Sequence, residues 1–131
     1  MALYGLENGG ADNKEGARTM GVAMLRAIWT GGVRDQIGGG VARYSVDEKW
    51  IVPHFEKMLY DQAQIVVGAI NFGLLSNGED RKICFDLAND GLEYTLRDLQ
   101  SKEGGFWSAE DADSSLKPGL AKSGEITSSL C

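Results

Sequence analysis

The chain has 131 residues, 43% hydrophobic and 24% charged, a balance that suits one folded unit with a modest core rather than an unstructured tail. Its net charge of -6 removes the basic patch that phosphate backbones and anionic lipid surfaces require, so neither nucleic acid nor a membrane is an expected partner. Cys84, Cys131 and the lone His54 are too few for a disulfide framework or a structural zinc site, so no metal is expected and a reducing, cytoplasmic setting is the default.

No apolar run is long enough to span a bilayer, and MALYGLENGG is neither basic nor apolar enough for a secretion signal. After Asp12 and Asn13, the residues Ala17, Met20, Gly21, Met24 and Ile28 recur at three- and four-residue steps, which predicts a first helix with one buried face. Gly31-Gly32 should stop it, and the stretch through Gly38-Gly39-Gly40 reads as a long structured loop. A second helix is expected to begin at Pro53, which is tolerated in a first turn, and to run to about Leu75. Phe55, Met58, Leu59, Ile65, Val66, Ala69 and Phe72 would form its apolar face. Asn77-Gly78 closes it, and a third helix from about Glu79 to Leu99 should turn Cys84, Leu87, Ala88, Leu92, Leu96 and Leu99 inward. So short a connection forces antiparallel neighbours. Gly104-Gly105-Phe106-Trp107 after the third helix echoes Gly31-Gly32-Val33-Arg34 after the first, which suggests a repeating helix pair with its Gly-Gly loops at one end.

Within residues 31–113, GGVRDQIGGGVARYSVDEKWIVPHFEKMLYDQAQ followed by EGGFWSAEDADS resembles the spermatogenesis-associated protein 20 family. That resemblance implies a thioredoxin-like domain followed by an (α/α) toroid similar to N-acylglucosamine 2-epimerases and six-hairpin glycosidases. It covers part of the toroid only. The expected fold class is therefore all-α, a partial (α/α) toroid of antiparallel helix hairpins, with residues 1–131 a fragment of that domain and the thioredoxin-like domain absent. No Trp-Cys-x-x-Cys-like segment is present, so no redox activity is implied. SGEITSSLC departs from the family pattern, and residues 120–131 are expected to be a disordered or aberrant tail from truncation, alternative splicing or a gene-model error. The implied partners are a carbohydrate ligand and the missing remainder of the toroid; no cofactor is implied.

On the expected second helix, His54, Lys57, Asp61, Gln64 and Asn71 form a polar stripe that could line a toroid cavity or could equally be a solvated face with a Lys57-Asp61 pair. His54 in a first turn would be a neutral proton or hydroxyl acceptor, or a structural side chain pinning the loop. Glu56 lies about 200° around the helix from His54, so it is either an independent general acid or base or a charge favouring the helix dipole. Glu110, Asp111 and Asp113 gather carboxylates of the kind that glycoside hydrolysis or sugar proton transfer uses, or cap nearby backbone. They do not make an EF-hand, because Leu116 and Lys122 occupy the positions of its glycine and bidentate glutamate. Tyr44, Trp50 and Trp107 offer aromatic faces for sugar C-H surfaces or for core packing, and Arg43 completes the candidate binding set. The glycine clusters lack the strand and Lys-Ser/Thr ending of a phosphate cradle. The candidate catalytic residues are His54, Glu56, Asp61, Glu110 and Asp111; Arg43, Tyr44, Trp50, Lys57, Trp107 and Asp113 are the candidate substrate contacts. A non-catalytic scaffold or interaction domain is the alternative.

Overall fold

A computed structural model describes residues 10–112, so Asp113 and the expected tail lie outside the described residues. Helix α1 (Ala11–Thr30) ends where Gly31 turns into extended backbone, as its glycine pair predicts. Its buried face is Ala17, Gly21, Val22, Leu25 and Ile28, whereas Met20 and Met24 are exposed. The apolar stripe is thus rotated from the expected one, because the inward positions Val22, Leu25 and Ile28 join the core shared with the two later helices. Gly21 permits a close approach: a Cβ there would stand 2.2 Å from the Phe72 ring.

The largest departure from expectation concerns residues 53–58, which are extended rather than helical. Strand β1 (Tyr44–Ser45) pairs antiparallel with β2 (Pro53–His54), and β3 (Lys57–Met58) pairs antiparallel with β4 (Ala109–Glu110). Helix α2 starts only at Leu59 and runs to Leu74. Between the strands, the Glu56 carbonyl accepts from the Arg43 N-H at 2.8 Å. Each of these pairings satisfies backbone groups that a helix would have used, and tertiary context overrides the helical periodicity. His54 and Glu56 therefore do not lie in a helix first turn, and the His54-to-Asn71 stripe is not one helix face. Phe55, expected inward, is exposed.

Residues 75–77 connect α2 to α3 (Gly78–Tyr94), and these two helices share the most extensive contact in the molecule. A π-helical turn (Thr95–Leu99) widens the end of α3. Cys84, Leu87, Ala88 and Leu99 point inward as expected, but Leu92 and Leu96 are exposed and the buried Tyr94 takes the inward position between them. The core lies where α1, α2 and α3 meet, around Leu25, Ile28, Val41, Ala69, Phe72 and Leu87. The architecture is the all-α helix-hairpin fragment that the sequence predicts, with two small open sheets added at one end. Among the described residues no helix is long and apolar enough to cross a membrane.

The Gly-Gly echo does not make equivalent loops. Gly104 and Gly105 have φ of 92° and 77°, as a tight turn requires, while Gly31 is extended at -87°. Gly32 instead answers a close approach, since a Cβ there would sit 2.0 Å from the Ile51 carbonyl oxygen. Gly40 combines both demands, with φ of 75° and a missing Cβ that would fall 2.6 Å from the Tyr94 ring. Left-handed strain and overpacking against a buried ring should together cost about 2–4 kcal/mol in a Gly40→Ala variant. Urea unfolding should show that loss, while Leu92→Lys on an exposed position changes the midpoint little.

Candidate functional site

Loop 31–42 is fixed to the helices by charged and amide side chains buried among apolar ones. Asp90 of α3 accepts from Arg34 at 2.6 Å through one carboxylate oxygen and from the Gly40 N-H at 2.8 Å through the other. Arg34 also lies over the Trp29 ring, 3.9 Å from its centroid. Gln62 of α2 brackets Val41, accepting from its N-H at 2.9 Å and donating to its carbonyl at 2.7 Å. Val33, Val41 and Ala42 are thereby held against Ile28 and Ile65, and together they floor a cavity of about 340 Å³.

The β1–β2 hairpin builds the wall of that cavity. Its tip is organised by Asp47, whose carboxylate accepts from the backbone N-H groups of Lys49, Ile51 and Val52 at 2.8, 3.0 and 2.5 Å. Those hydrogen bonds, led by the one from Val52, hold the Asp47 carboxyl below its usual range. The same turn forces Trp50 to φ of 57°, an uncommon conformation for a bulky residue. Strain of that kind persists only where surroundings impose it, here through the Gly32 N-H donated to the Trp50 carbonyl at 2.7 Å. Trp50 consequently stands between the 340 Å³ cavity and a shallower one of about 700 Å³ bordered by Gln36, Lys49 and Ile51.

Four sequence-predicted residues, Arg43, Tyr44, Trp50 and Asp61, line the same cavity. Tyr44 stacks on His54 with ring centroids 4.7 Å apart, and His54 Nδ1 is buried without a hydrogen-bond partner. Arg43 is engaged by Glu56 at 2.9 Å. Asp61 projects from the first turn of α2 with Oδ2 buried and unpartnered. Burial pushes its carboxyl up, Arg43 pulls it partly back, and Glu56 adds to the rise.

The other predicted residues lie apart from this cavity. Lys57 does not pair with Asp61; it is buried, bonds Asp35 at 2.9 Å and the Gly39 carbonyl at 3.0 Å, and lies over the Tyr94 ring. Glu110 sits opposite Lys57 in the β3–β4 pair and accepts from the Tyr94 hydroxyl at 2.5 Å. Burial first, then Glu110, pushes the Tyr94 hydroxyl up, so it remains a donor. Trp107 donates its backbone N-H to the Leu99 carbonyl at 2.8 Å, and Asp111 follows β4. Loops 31–40 and 101–110 thus meet at the α2 N-terminus, as Leu59 N-H to the Ser108 carbonyl at 2.9 Å also requires, away from the 75–77 connection. Among the described residues no group of His, Cys, Asp and Glu could hold a metal ion. Sequence reasoning missed Asp35, Gln62, Asp90 and Tyr94; only Gln62, a polar residue that breaks an apolar helix face, left a signal.

No family model matches the chain. Over 98 residues it is 48% identical to human spermatogenesis-associated protein 20, covering 75% of this chain and 12% of that protein. Rat spermatogenesis-associated protein 20 is 44% identical over 104 residues, with 79% of this chain and 13% of the relative covered. An uncharacterized Caenorhabditis elegans protein is 38% identical over 107 residues, 82% of this chain and 14% of its own length. The chain spans about an eighth of the length of these curated relatives.

The two aspartates should respond to pH in opposite directions. Burial raises Asp35, but the hydrogen bond from Lys57 and those from Gly38 and Ile37 N-H outweigh it and hold the carboxyl at about 2. Its stabilisation is complete above the unfolded value of about 3.9 and is lost as pH falls toward about 2. An Asp35→Asn variant should melt lower at pH 7 and flatten the fall in melting temperature between pH 4 and 2. Asp61, raised in the folded state, contributes stability below the unfolded value that disappears as pH rises through the folded one. Asp61→Asn should therefore stabilise the chain at pH 7, by less than about 1 kcal/mol after solvent screening. A lower melting temperature for that variant would contradict the assignment.

Proposed function

Because the chain belongs to the spermatogenesis-associated protein 20 family, we propose that it supplies part of a carbohydrate-binding or carbohydrate-processing cavity to a longer protein of that family. The single observation that carries this reading is the convergence of Tyr44, Trp50, Arg43 and Asp61 on one cavity with an apolar floor. Sugar rings offer C-H faces to aromatic side chains and hydroxyl donors to carboxylates, and the cavity has both kinds of partner. Arg43, held by Glu56, lies near Asp61 without closing on it, which leaves the carboxylate available to a ligand.

In this reading Asp61 is the residue that meets substrate, as a hydrogen-bond acceptor or as a general base with its affinity for protons raised by burial. Glu56 is a positioning residue that acts through Arg43. Glu110 is a poor candidate for acid or base work at this cavity, because the Tyr94 hydroxyl already occupies it. A second reading, a non-catalytic scaffold or interaction domain, is favoured by the exposed Met20 and Met24, which lie one turn apart on α1 and offer apolar surface of the kind that partner segments cover.

Titration of the folded chain with neutral monosaccharides, followed by tryptophan fluorescence, tests the first reading. Tyr44→Ala should weaken binding by about tenfold, the loss of one stacking contact of about 1–1.5 kcal/mol. Glu110→Gln should leave the affinity unchanged. Equal binding by the Tyr44→Ala variant would remove the cavity from the proposal, and binding by none of the proteins would favour the scaffold.

A further inference from the structure

We propose that the cavity prefers a ligand carrying a protonated primary amine, a free amino sugar rather than a neutral or N-acylated one, with Asp61 as its counter-ion. The inference rests on the carbohydrate reading and narrows its substrate class. Its basis is an imbalance of charge. In the cavity lining Arg43 is matched by Glu56 at 2.9 Å, and Lys57, away from the cavity, is taken up by Asp35 at 2.9 Å. Arg43 attracts Asp61 but pairs with Glu56 instead, so among the described residues Asp61 makes no ion pair and its buried Oδ2 has no hydrogen-bond partner.

A carboxylate with one buried oxygen left without a partner is costly, and a ligand that brings positive charge recovers that cost where a neutral hydroxyl recovers less of it. Hydrogen bonds between ionised partners are roughly twice as strong as neutral ones. Tyr44 and Trp50 add aromatic walls, which favour a cation over a neutral group as well as stacking on a ring. The terminal torsion of an aspartate is broad, so rotation of the carboxylate can bring Oδ2 to an ammonium that first meets the cavity-facing oxygen. At about 340 Å³ the cavity lies at the small end of ligand pockets, sized for one sugar ring. An acyl group on the nitrogen would remove the charge and leave Asp61 unmatched.

Calorimetric titration of the full chain, first shown to be helical by circular dichroism, separates the outcomes with four probes: glucosamine, glucose, N-acetylglucosamine and ethanolamine. Glucosamine should bind at least about tenfold more tightly than glucose or N-acetylglucosamine, and the preference should shrink as salt is raised. In Asp61→Asn the three sugars should bind alike, with helicity retained. Equal affinity for glucose and glucosamine in the unaltered chain overturns the amine inference and leaves the carbohydrate reading standing. Ethanolamine binding as tightly as glucosamine overturns the carbohydrate reading instead, and no binding by any probe ends both. A glucosamine preference that survives Asp61→Asn also overturns the proposal, because recognition would then lie elsewhere.

Discussion

Asp90 carries two obligations at once, the guanidinium of Arg34 and the N-H of Gly40, and the shape of the glycine-rich loop depends on both being met. The two side chains of the ion pair are only 14% and 13% exposed. Truncating one partner of such a pair leaves a stranded charge, at a cost of about 3–5 kcal/mol for a fully buried example. Here the pair is reinforced by the Trp29 ring and closed off by Tyr94 beneath Gly40, so the loop cannot slide along α3. A second clamp, Gln62 on Val41, ties the same loop to α2. The loop bridges two helices through polar contacts, and the apolar residues between those contacts, Val33, Val41 and Ala42, become the cavity floor.

That arrangement explains why neighbouring charged residues have separate fates. On the loop's side toward α3, Lys57 finds Asp35, the Gly39 carbonyl and the Tyr94 face, and Glu110 finds the Tyr94 hydroxyl. Every ionisable group in this cluster has a partner, which is how a buried charge contributes to a fixed geometry. On the cavity side, Asp61 lacks one, and His54 has a buried nitrogen in the same condition. Unmatched buried groups oppose folding, so their presence beside an aromatic wall and an apolar floor is a stronger pointer to ligand chemistry than the larger number of satisfied carboxylates nearby.

Much of the helical frame was legible in the sequence. Gly31 ends α1, the 75–77 turn forces the α2–α3 hairpin, and Ala69, Phe72, Cys84 and Leu87 face the core at helical spacing. Residues 53–58 were not legible, because their periodicity fits a helix and only the distant pairing of Lys57 with Glu110 and of His54 with Tyr44 makes them extended. Partner choice was hidden for the same reason: Lys57 reaches Asp35 rather than Asp61 because strand geometry turns it toward loop 31–40. Which of the candidate residues share a cavity was not legible from their spacing. Arg43, Tyr44, Trp50 and Asp61 converge, while Glu110 belongs to a structural cluster on another side.

Trp50 links stability to the cavity most directly. A left-handed bulky residue is costly, and glycine would adopt the same φ of 57° freely. The chain nonetheless keeps a tryptophan there, with its backbone fixed by Asp47 and Gly32 and its side chain between two cavities. Part of the compensation is packing, since Trp50 lies against the core. The neighbouring positions Lys49 and Ile51 are exposed, so it is the left-handed residue of this turn that reaches inward. The strained position places Trp50 in the lining of the 340 Å³ cavity that Asp61 also lines. The hairpin tip, the Gly32 close approach and the Asp47 turn then serve one geometric end, an aromatic residue with a fixed backbone in the lining that it shares with Asp61.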